Sequence, residues 1–191
     1  PPEMLQALGV RCLKGLAAAG EVASTNDGKV GWGRLGGAGR SFCAGNDLGD
    51  LGGVFNDGDN SKFRSDTVER LASLPMPVIA VVQGHCLTGG LELALAGVEV
   101  VVFAVPSGAV RQVAKEAAPF LPDGALLLSA AKGLEGETGL RMSQTLAAVF
   151  ADAVPRTVVL SGPNLALEAA RGLPTASVAA SMNPTAARAV Q

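Results

Sequence analysis

The sequence predicts an α/β fold with three layers and a mainly parallel sheet of about five or six strands. Runs of branched apolar residues, beginning with Val98–Val105, alternate with helical patterns through the second half of the chain. Strands and helices that alternate in this way form parallel sheets with right-handed crossovers. A glycine-rich loop at 84–90 leads through a short apolar helix into the strand Val98–Val105, and this stretch joins the two halves.

Length and composition favour one continuous hydrophobic core. The chain has 191 residues, of which 48% are apolar and only 4% are aromatic. This length suits one well-buried domain, and the shortage of large side chains predicts modest stability. We divide the chain into a segment at 1–96 and a segment at 97–191, and we expect the two to pack as one unit.

Charge and cysteine usage exclude several classes of protein. The net charge of −2 comes from interspersed charges of both signs, so we expect no nucleic-acid partner and no membrane partner. Cys12, Cys43 and Cys86 are widely separated, which favours reduced thiols over disulfides or a metal site. We therefore expect a soluble, intracellular protein without a metal. The sequence begins at Pro1, so it does not decide whether a targeting segment exists. The sequence also leaves the oligomeric state open.

The first half combines two helical patterns with two short strands. One helix is predicted from Pro2 to Gly20, and a weak, glycine-rich strand at about 29–36. A second helix spans about 61–73 and is ended by two prolines before the strand Val78–Val82. A GxGxxG spacing at 31–36 lacks a firm strand before it and a helix after it, so we do not assign it to a dinucleotide-binding turn.

Two glycine loops and one carboxylate form a first candidate site. The small residues at 37–48 let a ligand approach the main chain closely. The loop at 83–90 leads into the helix Leu91–Ala96, which carries Glu92 in its first turn. A backbone amide at a helix N-terminus, beside a carboxylate, suits a polarised carbonyl group. The alternative is that Glu92 is a surface residue that stabilises the helix dipole.

These two loops resemble one enzyme superfamily. GAGRSFCAGNDL, followed by PVIAVVQGHCLTGGLELALA, resembles the crotonase superfamily and is most similar to the enoyl-CoA hydratases, over about residues 2–96. The resemblance implies a partial crotonase-like fold and an acyl-CoA thioester as substrate. It also implies that the backbone N–H groups of Asn46 and Gly89 form an oxyanion hole, with Glu92 as one of two acid–base carboxylates. The region of the family's second glutamate is replaced here.

The second half predicts a regular alternation of strands and helices. Strands are predicted at Ala125–Ser129, Thr157–Leu160 and about Thr175–Ala180, after the first at Val98–Val105. Ser107 is predicted to cap the first helix of this half. The second helix is predicted to begin at Thr138 and to turn Leu140, Leu146, Val149 and Phe150 inward.

Three loops of this half form a second candidate site, because each follows the carboxyl end of a predicted strand. They are Val105–Ser107, Ala131–Gly133 and Ser161–Asn164. The carboxyl ends of parallel strands meet at one edge, where open α/β sheets bind ligands. The predicted helix N-termini at Ser107 and Asn164 suit phosphate oxygens.

The second half also resembles an enzyme family. VVVFAVPS, LLLSAAKGLE and VVLSGPNLALEAARGLPTASVAAS resemble the Rossmann-like nucleotide-binding domain of NAD(P)-dependent glycerol-3-phosphate dehydrogenases. The resemblance implies that Lys132 is catalytic and contacts substrate and cofactor. It implies that Gly162 and Asn164 line the site for glycerol 3-phosphate or dihydroxyacetone phosphate. It also implies that NAD(P) lies along Pro106, Ser107, Lys132 and Ala166. The alternative for Lys132 is a solvated loop lysine.

Three functions from different classes stay open. The chain is a hydratase/isomerase-type protein that acts on short acyl-CoA, a dehydrogenase-like oxidoreductase, or a fusion in which neither module is complete. The sequence contains neither the dehydrogenase family's glycine-rich first βαβ unit nor its C-terminal helical domain. We therefore expect the fusion, without the full activity of either family.

Overall fold

The computed structural model of the protein describes residues 32–37, 39–45, 68–69, 71–74, 76–87, 89–95 and 97–191. The chain divides into two compact units, Pro1–Gly97 and Val98–Gln191. Both contain strands paired in parallel, which confirms the α/β class. The described strands form two sheets, of two and four strands, rather than the single sheet that we expected. Packing of the two halves as one unit stays a prediction.

The N-terminal unit contains a two-stranded parallel sheet. Strand β1, Gly33–Gly36, pairs with strand β2, Val78–Val81, so that Gly33 lies opposite Val78. Glycines at both ends of β1 explain why the sequence predicts only a weak strand here. Helix α1 follows at Gly89–Leu95, and residues 68–69 and 71–72 are also helical. The helix predicted from Pro2 to Gly20 lies outside the described residues.

A small core lies around the two glycine loops of this unit. Its members are almost completely buried because the loops and α1 close over them. They are Phe42, Cys43, Cys86 and Leu93, with Leu35, Val68, Leu71, Ala80, Leu91 and Ala94 packed against them. The glycine loops are therefore part of the folded core of the unit rather than surface connections.

The C-terminal unit contains a four-stranded sheet in the order β3-β4-β5-β6. The strands are β3, Val100–Phe103; β4, Leu126–Ser129; β5, Thr157–Ser161; and β6, Val178–Ala180. The first three pair in parallel, whereas β6 runs antiparallel to β5. Each strand lies within or close to its predicted span. The parallel pairing places the carboxyl ends of β3, β4 and β5 at one edge.

Four helices of this unit lie in the described residues: α2, Val110–Ala117; α3, Met142–Ala147; α4, Ala166–Ala170; and α5, Pro184–Ala189. The prediction that Ser107 caps the first helix is wrong. Ser107 begins a single 3₁₀ turn, Ser107–Ala109, and α2 starts only after it. Asn164 likewise lies two residues before α4 rather than at its first position.

The predicted start of the second helix is also wrong, for a local reason. Thr138 and Gly139 lie in the loop before α3, where the Thr138 hydroxyl donates to Glu135 and Gly139 has a φ of 69°. A threonine that bonds a nearby side chain competes with helix formation, and a positive φ ends a helix. The helix begins at Met142, and Leu140 precedes it, whereas Leu146 and Phe150 are buried as predicted.

Helix α5 is missing from the sequence-based prediction, although its start carries a recognisable signal. The Asn183 side chain accepts a hydrogen bond from the Thr185 N–H at 3.0 Å, and Pro184 occupies the first helical position. An asparagine cap followed by proline is a common start for a helix. Ala186 is the buried residue of this helix, so the spacing of apolar residues in the sequence does not predict a helix here.

The core of the C-terminal unit lies between the sheet and helices α2 and α3. Alternate residues of β3 and β4 face this core, as the two-residue period of a strand requires. The buried residues are Phe103, Val110, Ala114, Leu127, Met142, Leu146, Phe150 and Ala153.

Among the described residues, no helix has the length and apolar content needed to cross a membrane.

We predict that Leu146→Ala lowers the free energy of unfolding by about 2–5 kcal/mol, because a fully buried leucine leaves a cavity when it is truncated. The matched control is Leu167→Ala, whose side chain is 63% exposed and whose loss should change stability by less than about 0.5 kcal/mol. Urea unfolding followed by circular dichroism measures both. Equal losses for the two variants would contradict the assignment of this core.

Candidate functional site

The two glycine loops of the N-terminal unit are joined by backbone hydrogen bonds. The Phe42 N–H donates to the Gln83 carbonyl at 2.7 Å, and the Cys43 N–H donates to the His85 carbonyl at 3.1 Å. The Leu87 N–H returns a bond to the Cys43 carbonyl at 3.0 Å. Residues 42–43 therefore run beside 83–87 like a short parallel ladder, which fixes one loop against the other.

Two glycines permit this close approach. Gly84 has a φ of 58°, and a Cβ on it would lie 2.2 Å from the Arg40 carbonyl oxygen. A Cβ on Gly90 would lie 2.7 Å from the Cys43 Cβ. Contacts this short do not occur between real atoms, so larger residues would force the loops apart. Gly84 and Gly90 are therefore required by packing, whatever the loops bind.

Two of the three residues predicted for the first site lie on α1. Gly89 is its first residue, is buried, and donates its N–H to no acceptor among the described residues. Glu92 lies in the first turn, and its residue is exposed. Asn46, the predicted second donor of the oxyanion hole, lies outside the described residues. The helix begins at Gly89 rather than at the predicted Leu91, so Gly89 and Glu92 lie three residues apart on one helix, and their joint role stays a prediction.

Polar contacts that the sequence did not suggest also hold these loops. Ser41 is buried, and its hydroxyl lies 3.2 Å from the His85 Nδ1 atom and 3.2 Å from the His85 backbone nitrogen. The Gln83 side chain donates to the Gly39 carbonyl at 2.8 Å. The pKa of the Cys86 thiol is raised to about 11, mainly because the thiol is buried and to a smaller extent because Cys43 lies beside it. Cys86 is therefore a neutral packing residue at physiological pH rather than a nucleophile.

The second candidate site is in the C-terminal unit, where Lys132 joins two of the predicted loops. Its ammonium group donates to the side-chain carbonyl of Asn164 and, at 3.4 Å, to the backbone carbonyl of Gly162. The Asn164 side-chain amide donates in turn to the Ser177 hydroxyl at 2.9 Å. Lys132, Gly162 and Asn164 therefore lie together, although the sequence places the lysine 30 and 32 residues before its partners.

The first loop approaches the second through Ser107 and Gly133. A Cβ on Gly133, whose φ is 119°, would lie 3.3 Å from the Ser107 hydroxyl oxygen. The Ala130 and Ala131 N–H groups both donate to the Phe103 carbonyl, at 3.0 and 3.2 Å. These contacts hold the ends of β3 and β4 side by side. Pro106 precedes Ser107 with extended backbone, and Ala166 begins α4 two residues after Asn164.

Gly162 forms the tight turn at the end of β5. Its φ is 116°, and a Cβ there would lie 2.7 Å from the Ala176 carbonyl oxygen. The Ala176 N–H donates to the Pro163 carbonyl at 3.3 Å, so the entry to β6 is bonded to the turn. The Asn164 N–H closes the turn by donating to the Gly162 carbonyl at 2.9 Å. The conformation of this turn therefore requires glycine at position 162.

An ion pair between the half-buried Arg111 and the buried Glu135 anchors the loop that follows Lys132. Arg111 on α2 donates through Nε and Nη2 to the two carboxylate oxygens of Glu135, at 2.6 and 2.7 Å. The Thr138 hydroxyl donates to the same carboxylate. The pKa of the Glu135 carboxyl is lowered to about 2, mainly by the hydrogen bond from Arg111 and to a smaller extent by the hydrogen bond from Thr138. Sequence reasoning missed this pair, because the partners lie 24 residues apart in segments with no shared motif.

Lys132 carries an uncompensated positive charge within the described part of the chain. The ion pairs there join Arg111 to Glu135 and Arg156 to Asp152, and no described carboxylate lies within 4.0 Å of the Lys132 ammonium. Its acceptors are neutral carbonyl groups. No described group of three or more His, Cys, Asp or Glu residues could hold a metal ion. Lys132 therefore has no carboxylate partner among the described residues at this edge.

We predict that acid weakens the C-terminal unit through Glu135. The folded-state pKa lies below the ordinary carboxyl value of 4.5, so the stabilisation is complete above pH 4.5 and is lost as the pH falls from there to about 2. Glu135→Gln should lose less stability across this window than the unmodified chain. The control Glu99→Gln removes an exposed carboxylate before β3. Urea midpoints measured from pH 7 to 2.5 test this, and identical pH slopes for Glu135→Gln and the unmodified chain would contradict it.

Two family models match overlapping parts of the chain. The enoyl-CoA hydratase/isomerase model matches residues 1–106, and the model of the NAD-dependent glycerol-3-phosphate dehydrogenase N-terminus matches residues 68–187. Each match covers more than half of the chain. The two matched regions overlap at residues 68–106, which include β2, α1 and β3 and the predicted boundary between residues 96 and 97.

Curated relatives agree with the second of these families. The chain is 42% identical over 123 residues to glycerol-3-phosphate dehydrogenase [NAD(P)+] of Geobacter metallireducens, which covers 64% of this chain and 37% of that protein. It is 46% identical over 110 residues to the same enzyme of Pelotomaculum thermopropionicum, with 55% and 30% covered. The chain thus spans about a third of the length of these relatives.

Solved structures of both kinds are similar to this chain. Glycerol-3-phosphate dehydrogenase of Coxiella burnetii matches with a TM-score of 0.49 and 28% identity, over 61% of this chain and 33% of that one. An enoyl-CoA hydratase/carnithine racemase of Magnetospirillum magneticum matches with a TM-score of 0.46 and 29% identity, over 53% and 40%. The family models carry the assignment: the chain belongs to the enoyl-CoA hydratase/isomerase family through its N-terminal part and to the NAD-dependent glycerol-3-phosphate dehydrogenase family through its C-terminal part, each represented by a partial segment.

Proposed function

We propose that the C-terminal unit binds glycerol 3-phosphate or dihydroxyacetone phosphate through Lys132, Gly162 and Asn164. The observation that carries the proposal is the direct bonding of the Lys132 ammonium to both of the other residues. All three residues belong to loops at the carboxyl edge of the parallel strands, which is the ligand-binding edge of open α/β sheets. The names of the curated relatives supply the substrate class.

The charge of Lys132 supports an anionic ligand that carries a carbonyl or hydroxyl group. An ammonium group has three N–H donors, and the two bonds to Gly162 and Asn164 leave one for a ligand. A fixed cation attracts a phosphate group at a distance, and it stabilises negative charge that develops on a carbonyl oxygen during reduction. We therefore propose that Lys132 holds the family's catalytic position in this unit.

NAD(P) is the cofactor that this family implies, and it would supply the hydride. Pro106, Ser107, Lys132 and Ala166 are the residues that we propose would hold it, because the first loop meets the second through Ser107 and Gly133. The GxGxxG spacing at 31–36 does not fit a pyrophosphate-binding turn, since Gly33 and Gly36 lie within β1 rather than between a strand and a helix. We therefore propose that this unit recognises the phosphorylated substrate without completing the dehydrogenase reaction.

A second candidate function rests on Gly89 in the N-terminal unit. We propose that its N–H donates a hydrogen bond to the carbonyl oxygen of an acyl-CoA thioester, with Glu92 as an acid–base group and Asn46 as the second donor. The buried N–H of Gly89 has no acceptor among the described residues, which supports this role. A fixed amide of this kind stabilises an oxyanion without reorganisation. The proposed function of the whole chain is thus a fusion of two partial binding modules.

Lys132→Ala should weaken glycerol 3-phosphate binding by about 10- to 100-fold, since a hydrogen bond to a charged group contributes about 1.5–3 kcal/mol. Isothermal titration calorimetry measures the dissociation constant. The control is Lys115→Ala, which removes an exposed lysine from α2. An affinity that falls equally in both variants would indicate general attraction by positive charge and would contradict the proposed site.

Gly89→Pro should abolish crotonyl-CoA binding, whereas Gly89→Ala should retain it. Proline removes the N–H but is tolerated at the first position of a helix, where this residue lies. Alanine keeps the N–H and controls for added side-chain volume. Calorimetry with crotonyl-CoA gives the affinities, and circular dichroism checks that both variants keep the fold. Equal affinities for the two variants would rule out this N–H as a ligand donor.

A further inference from the structure

Ser177 lies at the second candidate site, and the sequence analysis assigns it no role although it lies within the last of the quoted motifs. It is exposed, immediately precedes β6, and accepts a hydrogen bond from the Asn164 side chain at 2.9 Å. A Cβ on Gly162 would lie 3.2 Å from the Ser177 Cα, so the main chain at 177 lies directly against the β5 turn. The position of Ser177 is therefore fixed by the same turn that places Gly162 and Asn164.

The hydrogen bonds determine which way the Asn164 amide points. Its carbonyl oxygen accepts from the Lys132 ammonium, so its NH₂ group must face Ser177. A flipped amide would place the NH₂ group against the ammonium, where two donors would oppose each other. The Ser177 oxygen accepts one of the amide protons, which leaves the serine O–H proton available for another acceptor.

This cluster offers three N–H or O–H donors to a ligand. They are the remaining N–H of Lys132, the second N–H of Asn164 and the O–H of Ser177. No described carboxylate lies within 4.0 Å of the Lys132 ammonium to neutralise it. A positively charged set of donors suits a ligand group that has only acceptor oxygens and carries negative charge, such as a phosphate monoester.

We propose that Ser177 is a specificity-determining residue of this site: it orients the Asn164 amide and donates its hydroxyl proton to a phosphate oxygen of the ligand. The inference rests on the proposed function of the C-terminal unit and adds a fourth residue to its binding set. It also assigns the phosphate group, rather than the glycerol hydroxyls, to Asn164 and Ser177, beside the positive charge of Lys132, which leaves the remaining Lys132 N–H for the carbonyl or hydroxyl group of the ligand.

The test compares Ser177→Val with Ser177→Thr. Both side chains are β-branched and similar in size, but only threonine keeps the hydroxyl, so the pair isolates the hydrogen bond. We expect Ser177→Val to raise the dissociation constants of glycerol 3-phosphate and inorganic phosphate about tenfold, with Ser177→Thr close to the unmodified chain. Thr175→Val is the control, because it removes an exposed hydroxyl two residues away. Thermal melts check folding, and Ser177→Ala replaces Ser177→Val if valine lowers the melting temperature.

Each outcome of the titrations decides one claim. If the unmodified chain binds neither glycerol 3-phosphate nor inorganic phosphate, the proposed function fails and this inference fails with it. If the unmodified chain binds and Ser177→Val binds as tightly as Ser177→Thr, only the role of Ser177 is overturned. Titration with glycerol separates the two parts of the ligand. If Ser177→Val binds glycerol more weakly than the unmodified chain but binds inorganic phosphate equally well, the assignment of the phosphate group is overturned. NMR spectroscopy tests the orienting role: the Asn164 side-chain NH₂ resonances should shift in Ser177→Val but not in Ser177→Thr.

Discussion

The hydrogen bond between Lys132 and Asn164 links two loops of the C-terminal unit, and the candidate site depends on that link. The two residues lie 32 positions apart, and the parallel pairing of β4 with β5 brings the loops that carry them together. Around this bond, Gly162 permits the tight turn, and the Arg111–Glu135 pair holds the loop after Lys132 against α2. The bond uses neutral acceptors and leaves the lysine charge uncompensated among the described groups. This is why the edge is suited to an anionic ligand.

The N-terminal unit is held by a different constraint, the close approach of two glycine loops. Gly84 lies so close to the main chain of the other loop, and Gly90 so close to Cys43, that neither position has room for a side chain. The same contacts leave Gly89 at the start of α1 with a buried N–H that no described group accepts. Packing therefore explains the glycines at 84 and 90, and our proposal assigns the Gly89 amide to ligand binding. In that proposal each unit contributes one candidate site.

Much of this arrangement was predictable, because its signals are local. Branched apolar runs predict β3, β4 and β5, and the glycine motifs predict both candidate sites. The failures come from contacts that the sequence does not display. The bond from Thr138 to Glu135 delays the start of α3. The antiparallel direction of β6 depends on how the chain returns from the Gly162 turn. The roles of Arg111 and Ser177 appear only when segments 24 and 13 residues apart are brought together.

The central claim is that the carboxyl edge of the C-terminal unit still binds the phosphorylated ligand of its family. Hydrogen–deuterium exchange with mass spectrometry tests it most directly, on the whole chain, with saturating glycerol 3-phosphate and, separately, crotonyl-CoA. The account predicts that glycerol 3-phosphate slows exchange at residues 130–134 and 161–166 and that crotonyl-CoA does not. Unchanged exchange at both segments with glycerol 3-phosphate would contradict it, and the family assignment would then describe the origin of the chain rather than its function.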